Sequence, residues 1–138
     1  MARLPVNLNL CVNRIQRMEF QVIPITRIFD IEKAKDFYLH YLGMHLDWTH
    51  RFEPGSPLYM QVSKGAFILH LSEHSGDCTP GSKIFVNVSN IQALFGELQE
   101  KEYSFCNPSI ETAPWGDRCF TVIDPFSNKI LFNEPNNP

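Results

Sequence analysis

The sequence lacks the features that mark several large classes of function. It has no basic stripe: 12 Lys and Arg against 15 Asp and Glu give a net charge of −3, which argues against nucleic-acid and anionic-membrane partners. Its apolar runs are far too short to span a bilayer. It contains no glycine-rich phosphate loop and no Gly-x-Ser-x-Gly nucleophile motif.

Closely spaced cysteines are also missing. The four that occur, Cys11, Cys78, Cys106 and Cys119, are scattered along the chain and include no Cys-x-x-Cys pair. This spacing favours neither a zinc site nor a dense disulfide framework. We therefore predict free thiols and a cytoplasmic location.

What the sequence does have is the composition of one ordinary globular domain. Its 138 residues are 43% hydrophobic and 20% charged, which is enough to build one core. Residues 1–17 are interpreted as an N-terminal arm, an added edge strand, or sequence ahead of a start at Met18. The domain is predicted to cover residues 18–138.

The first half of this domain, about residues 18–79, has the pattern of a strand, a helix and three strands. The run from Phe20 to Ile28 is strand-like but carries Pro24, which suits an edge strand. Asp30 is predicted to cap a helix that stops at Gly43. Three further strands are then predicted, Met44–Phe52, Leu58–Ser63 and Ala66–Leu71.

The second half, about residues 80–138, repeats this order. A strand over Lys83–Val88 precedes a helix, for which Ser89-x-x-Gln92 is a predicted capping box. Three strands are predicted to follow, Tyr103–Phe105, Arg118–Ile123 and Lys129–Phe132. The repetition predicts an α+β fold of two βαβββ modules that form a curved, eight-stranded mixed sheet with a concave face.

A distinctive motif occupies the last third of the chain. Residues 114–118 read Pro-Trp-Gly-Asp-Arg, and after one strand Asp124-Pro125-x-x-Asn128 leads into the last strand. This segment resembles the bleomycin-resistance proteins of the glyoxalase/bleomycin-resistance/dioxygenase (vicinal oxygen chelate) superfamily. The resemblance implies the two-module fold and a homodimer, with Pro24 near the point where the first strand crosses to the partner.

The same resemblance allows a test for metal chemistry. Metal-using members carry their ligands on the concave sheet, at positions that correspond here to Ile23, Lys83 and Leu131, with His70 as the sole ligand-like residue on the remaining strand. Metal sites need imidazole, thiolate or carboxylate ligands. We therefore expect no metal and no other cofactor.

The remaining signals concern small-molecule binding. Asp47-Trp48 lies at the spacing where resistance proteins carry an acid–aromatic pair in the drug groove, and Trp115 matches the tryptophan of their Pro-Trp-Gly segment. Aromatic rings beside carboxylates suit a large, flat, cationic ligand. Core packing is the alternative role for Trp48 and Phe52, and a plug at the end of the core is the alternative for Trp115. The predicted ligand-binding residues are Asp47, Trp48, Phe52, His70, Trp115 and Arg118.

These features predict a homodimeric binding protein rather than an enzyme. Its expected function is to sequester bleomycin-type or other aromatic cationic antibiotics, and thus to confer resistance. The alternative from another class is a metal-dependent lyase, isomerase, dioxygenase or thiol transferase of the same superfamily. Retained stoichiometric metal would distinguish the two.

Overall fold

The computed structural model describes residues 17–136. The predicted N-terminal arm and Cys11 therefore lie outside the described residues, except for Arg17. Along residues 17–136, no helix is both long enough and apolar enough to cross a membrane.

The first module contains one helical segment and four strands. Asp30 caps the helix as predicted, since its carboxylate accepts from the Lys33 backbone N–H at 2.9 Å. The chain leaves the helix through Gly43, whose φ of +70° favours glycine. The elements are β1 (Ile25–Arg27), α1 (Ile31–Lys35) continued by a π-helical turn (Asp36–Tyr41), β2 (His45–His50), β3 (Tyr59–Lys64) and β4 (Phe67–Ser72).

The second module repeats this arrangement with β5 (Lys83–Asn87), α2 (Ile91–Gln99), β6 (Glu111–Thr112), β7 (Arg118–Ile123) and β8 (Lys129–Glu134). Its strand order, β5-β8-β7-β6, matches β1-β4-β3-β2 in the first module. In both sheets the first pair is parallel and the others are antiparallel. The α+β fold of two βαβββ modules is confirmed, with the eight strands divided between two four-stranded sheets.

The predicted first strand is too long in its N-terminal part. Only Ile25–Arg27 pairs in the sheet, whereas the sequence pattern began at Phe20. Pro24 has no N–H to contribute to a ladder, and its carbonyl accepts from the His70 backbone N–H at 3.0 Å. The proline therefore marks the start of the strand instead of lying within it.

Two predictions in the second module are wrong. The helix cap is Asn90, whose side chain accepts from the Ala93 N–H at 3.1 Å, so the capping box at Ser89 does not form. The run at Tyr103 is not a strand, because its ring stacks on Tyr41 with 4.6 Å between centroids. The outer strand is formed later, by Glu111–Thr112.

The larger of two hydrophobic clusters joins the two modules. Buried side chains from both modules form one cluster, including Ile28, Phe37, Tyr41, Phe120 and Ile130. Each sheet packs one face toward this core, so alternate residues point to the opposite face. In β3, Met60 and Val62 are fully buried, whereas Tyr59, Gln61 and Ser63 are partly exposed. We call the faces that point away from the core the open faces.

Candidate functional site

A bulge on β2 places an acid and an aromatic ring side by side on the open face of the first sheet. The register between β2 and β3 shifts between Leu46 and Trp48, so Asp47 is the extra residue. Asp47 and Trp48 consequently both contact open-face residues of β3 and β4. Trp48 remains 41% exposed, so it is a surface ring and not a core residue.

Asp47 is surrounded by hydrogen-bond donors. Its carboxylate accepts from Gln61 Nε2 and Ser63 Oγ and lies beside His45 Nδ1, each at 3.0 Å. These hydrogen bonds, that from Gln61 most of all, lower the pKa of Asp47 to about 2. The site therefore presents a fixed negative charge at neutral pH.

The rings next to Asp47 form a small aromatic cluster. Trp48 stacks on Tyr59, with 6.0 Å between centroids and 13° between planes, and meets His70 edge-on at 5.3 Å. His70 Nδ1 lies 2.7 Å from the Tyr59 hydroxyl, and its Nε2 lies 3.0 Å from Gln61 Oε1. Burial lowers the pKa of His70, which favours the neutral imidazole. We call Asp47, Trp48, Tyr59, Gln61 and His70 the first wall.

A second aromatic cluster lies on the open face of the second sheet. The Trp115 indole donates to Asn133 Oδ1 at 3.0 Å and lies 6.1 Å from the Phe85 ring. Asn133 is 2% exposed, and its amide donates to Asn87 and Asp117. Trp115 is thus 54% exposed yet anchored by a buried amide. We call Trp115, Phe85 and Asn133 the second wall.

Arg118 begins β7 and is already paired with Glu134, which alternation along β8 places on the opposite face from Asn133. Its guanidinium donates to Glu134 Oε2 at 2.7 Å, and the other oxygen of Glu134 accepts from the Ile91 N–H at 3.2 Å. The pairing with Arg118, above all, lowers the pKa of Glu134. This arrangement positions the edge of the sheet against α2, so Arg118 has a structural partner in addition to its predicted ligand role.

Phe52 is separated from Trp48 by the end of β2. It is 76% exposed, and its ring meets His50 at 5.0 Å and His74 at 5.9 Å. Tyr59 connects this group to the first wall, since it contacts both Trp48 and His74. The structure thus brings Asp47, Trp48 and His70 together and places Phe52 beyond them.

Within one chain the two walls remain separate clusters. No aromatic contact between residues 17 and 136 joins Trp48 or Tyr59 to Trp115 or Phe85. Each wall is therefore a separate, partly exposed aromatic surface.

The fold and the exposed aromatic faces can be compared with known proteins. A family model described as "Glyoxalase superfamily protein" matches residues 11–138. The chain belongs to the glyoxalase superfamily. A search among curated proteins finds no match.

Solved structures with this fold include bleomycin-binding proteins. The bleomycin-binding protein of Streptomyces verticillus, complexed with copper(II)-bleomycin, is 23% identical, with 87% of this chain and 100% of that chain covered and a TM-score of 0.65. A bleomycin resistance determinant encoded on transposon Tn5 is 13% identical, with 86% and 99% covered and a TM-score of 0.65. A superfamily member from Sphaerobacter thermophilus is 22% identical, with 86% and 100% covered and a TM-score of 0.64.

The four positions that the sequence assigns to possible metal ligands carry one ligand-like side chain, His70 on β4. Ile23 and Leu131 are hydrocarbons and Lys83 ends in an ammonium group, and such groups do not bind divalent metals well. Both His70 nitrogens already face hydrogen-bond partners. Within residues 17–136, no group of three or more His, Cys, Asp or Glu could hold a metal ion.

Several residues in and around the two walls were not predicted from the sequence. Tyr59, Gln61 and Ser63 alternate along β3, and this period of two could have placed them on one face with Asp47. Asn133 had no comparable signal. Its role depends on the register of β8 and on a bend 18 residues earlier in the chain, which no local pattern reveals.

Proposed function

We propose that this protein is a non-catalytic binding protein that sequesters a flat aromatic cation of the bleomycin type. The observation that carries the proposal is the pairing of an ionised Asp47 with the partly exposed ring of Trp48. The Trp48 ring can stack on a flat ligand, and the Asp47 carboxylate can pair with the positive charge of that ligand. Each aromatic contact contributes roughly 0.5–1.5 kcal/mol beyond the area it buries.

The comparisons support the class of ligand. Two of the solved structures above are a bleomycin-binding protein with copper(II)-bleomycin and a bleomycin resistance determinant. At identities of 23% and 13% they carry the fold but not the ligand. The match between the first wall and a flat cation therefore rests on the contacts of Asp47 and Trp48 themselves.

We further propose that the groove is completed by a two-fold homodimer. The second wall of one chain would then lie opposite the first wall of its partner, enclosing the ligand between Trp48 and Trp115. Exposed apolar side chains support such an interface, including Val22, Ile25, Phe85 and Ile123. A self-complementary two-fold interface would cover them and create two equivalent grooves.

A cytoplasmic site of action is part of this proposal. Cys78, Cys106 and Cys119 are all free cysteines, as expected for a protein in a reducing compartment. An intracellular antibiotic would be sequestered there before it reaches its target.

The direct experiment is a titration with metal-free and copper-loaded bleomycin, followed by tryptophan fluorescence. Quenching in the micromolar range is expected, because both tryptophans lie in the proposed groove. Asp47→Asn should weaken binding while leaving the rings in place. Glu102→Gln, which removes an exposed carboxylate after α2, is the matched control. If neither form of bleomycin changes the fluorescence, the drug-specific proposal is wrong.

A further inference from the structure

A second concave site lies beyond the first wall, at the far ends of β2 and β3. A cavity of about 220 Å³ is lined by His50, Phe52, Tyr59, His74 and Asp77. We call these five residues the outer cage. It is distinct from the groove between the walls but shares Tyr59 with the first wall.

Four rings surround this cavity at steep mutual angles. Phe52 meets His50 at 82° and His74 at 87°, and His74 is inclined by 55° to Tyr59. Rings at such angles leave a space between them and line it on several sides, whereas parallel stacked rings would fill it. Phe52 gains little from its own burial, since it is 76% exposed. The Phe52 ring is open to solvent on one side and has His50 and His74 beside it. Such an arrangement is typical of a surface that binds a ligand.

One carboxylate lies among the five cage residues. Asp77 contributes the carboxylate, which accepts from Ser72 Oγ at 2.5 Å, and its backbone N–H closes a turn on the His74 carbonyl. Burial and then the charge of Asp77 raise the pKa of Tyr59, so the field of this carboxylate acts on the cage. The neighbouring Arg51 points elsewhere: it donates to the Ser56 carbonyl and lines a different pocket.

We propose that the outer cage binds a small alkylammonium group, with a quaternary ammonium as its best ligand. Phenyl and phenol faces, here those of Phe52 and Tyr59, attract cations whose centres lie within about 6 Å of the ring centroid. A quaternary ammonium has no N–H groups and needs no hydrogen-bond acceptors. Aromatic faces and one nearby carboxylate are therefore enough to stabilise its charge. A primary ammonium has three N–H donors to satisfy, and the Asp77 carboxylate is the one charged acceptor among the cage residues, so the hydration it loses would be replaced only in part.

The cage extends the proposed function without depending on bleomycin. Because Tyr59 belongs to both sites, a ligand whose flat part stacks on Trp48 would place an ammonium-bearing arm in the cage. The cage should nevertheless bind an isolated ammonium compound, even one with no flat part.

The test compares choline with 3,3-dimethylbutan-1-ol, which has the same shape but a carbon in place of the charged nitrogen. Each is titrated into the full chain through the millimolar range, and NMR chemical shifts of the backbone and aromatic groups are followed. Choline should produce saturable shifts centred on Phe52 and His74. The alcohol should bind at least about tenfold more weakly, because it lacks the cation–π and carboxylate terms.

Two variants locate the site. Phe52→Leu and Asp77→Asn should each weaken choline binding several-fold. Phe105→Leu is the matched control, because Phe105 is also highly exposed, at 82%, but lines a different pocket. Both Phe variants should fold normally, since neither ring is buried in the core.

Four outcomes would overturn the proposal. Equal affinity for choline and the alcohol would mean a merely apolar pocket. Saturable shifts elsewhere, or unchanged binding in Phe52→Leu, would mean the wrong site. No saturable shift would mean no site. The result is independent of the bleomycin titration: choline binding without bleomycin binding refutes only the proposed function, and the reverse refutes only the cage.

Discussion

The Tyr38 hydroxyl donates to Asp124 Oδ2 at 2.6 Å and so joins the helix of the first module to the last hairpin turn, 86 residues away. Both groups are buried. Asp124 also accepts from the Asn128 and Phe126 backbone N–H groups, and Asn128 donates to the Arg27 carbonyl at 2.7 Å. The Asp-Pro-x-x-Asn turn therefore adds a buried polar connection between the modules to that of the shared core.

Tyr38→Phe should destabilise the protein by about 1.5–3 kcal/mol, the usual range for a hydrogen bond to a charged group. Burial already raises the pKa of Asp124, and loss of the Tyr38 donor should raise it further. Urea unfolding measures the change in the free energy of unfolding. Tyr103→Phe, in the same aromatic cluster, should cost less, because Tyr103 makes no hydrogen bond to Asp124. Equal losses in both variants would contradict this account of the turn.

Stability should also depend on His70 between neutral and mildly acidic pH. Burial lowers the pKa of His70 below its ordinary 6.5, so the unfolded chain takes up a proton before the folded one does. This contribution to stability is fully present above about 6.5 and is lost as the pH falls through the folded pKa. Urea midpoints at pH 7 and pH 5 should therefore differ more in the wild type than in His70→Gln. His40→Gln, at an exposed position, should behave as the wild type does.

The first wall could be predicted only in part from the sequence. Asp47 and Trp48 were recognisable as a pair, but alternation along a regular strand would place adjacent residues on opposite faces. The bulge after Leu46 removes this conflict, and bulges depend on the partner strand. His70 and Asp47 gain their hydrogen bonds from β3, which a local pattern cannot align in register.

The fold was predictable because two independent repeats of the same pattern agreed with the turn chemistry. The secondary-structure predictions failed for two reasons. At the start of α2, Ser89 and Asn90 are both good capping residues, and the local sequence does not choose between them. Elsewhere, tertiary packing outweighed local propensity. Tyr103 has the β propensity of an aromatic residue, yet stacking on Tyr41 in the core takes it out of any sheet. The hydrogen bond from Trp115 to Asn133 also depends on tertiary contacts, since the two residues are 18 positions apart, so it could not be predicted from local sequence.

Gln61 should lower the pKa of Asp47 more than its other hydrogen-bond partners do. Gln61→Leu removes the largest of the effects that hold the pKa of Asp47 at about 2, so this pKa should rise toward the ordinary value of 3.8. Carbon-13 NMR of the Asp47 carboxyl follows the titration directly. Gln99→Leu, at the exposed end of α2, is the control. An unchanged pKa in Gln61→Leu would mean that His45 and Ser63 fix the charge without Gln61.

Trp115→Ala should weaken binding of a bleomycin-type ligand by about one to two orders of magnitude, because stacking on a desolvated ring contributes roughly 1–3 kcal/mol. The loss should appear in calorimetric titration as a higher Kd with an unchanged stoichiometry. Phe105→Ala, which removes an equally prominent exposed ring from another pocket, should bind normally. Normal binding by Trp115→Ala would exclude the second wall from the groove.

In the proposed dimer, each groove combines the first wall of one chain with the second wall of its partner. A mixed dimer of Trp48→Ala and Trp115→Ala chains, purified with two different tags, tests this most directly. If walls are shared between chains, one groove carries both substitutions and the other carries none. Calorimetry should then find one site of full affinity per mixed dimer, and none in either parent homodimer. No full-affinity site in the mixed dimer, or a monomer that binds normally, would contradict the shared groove.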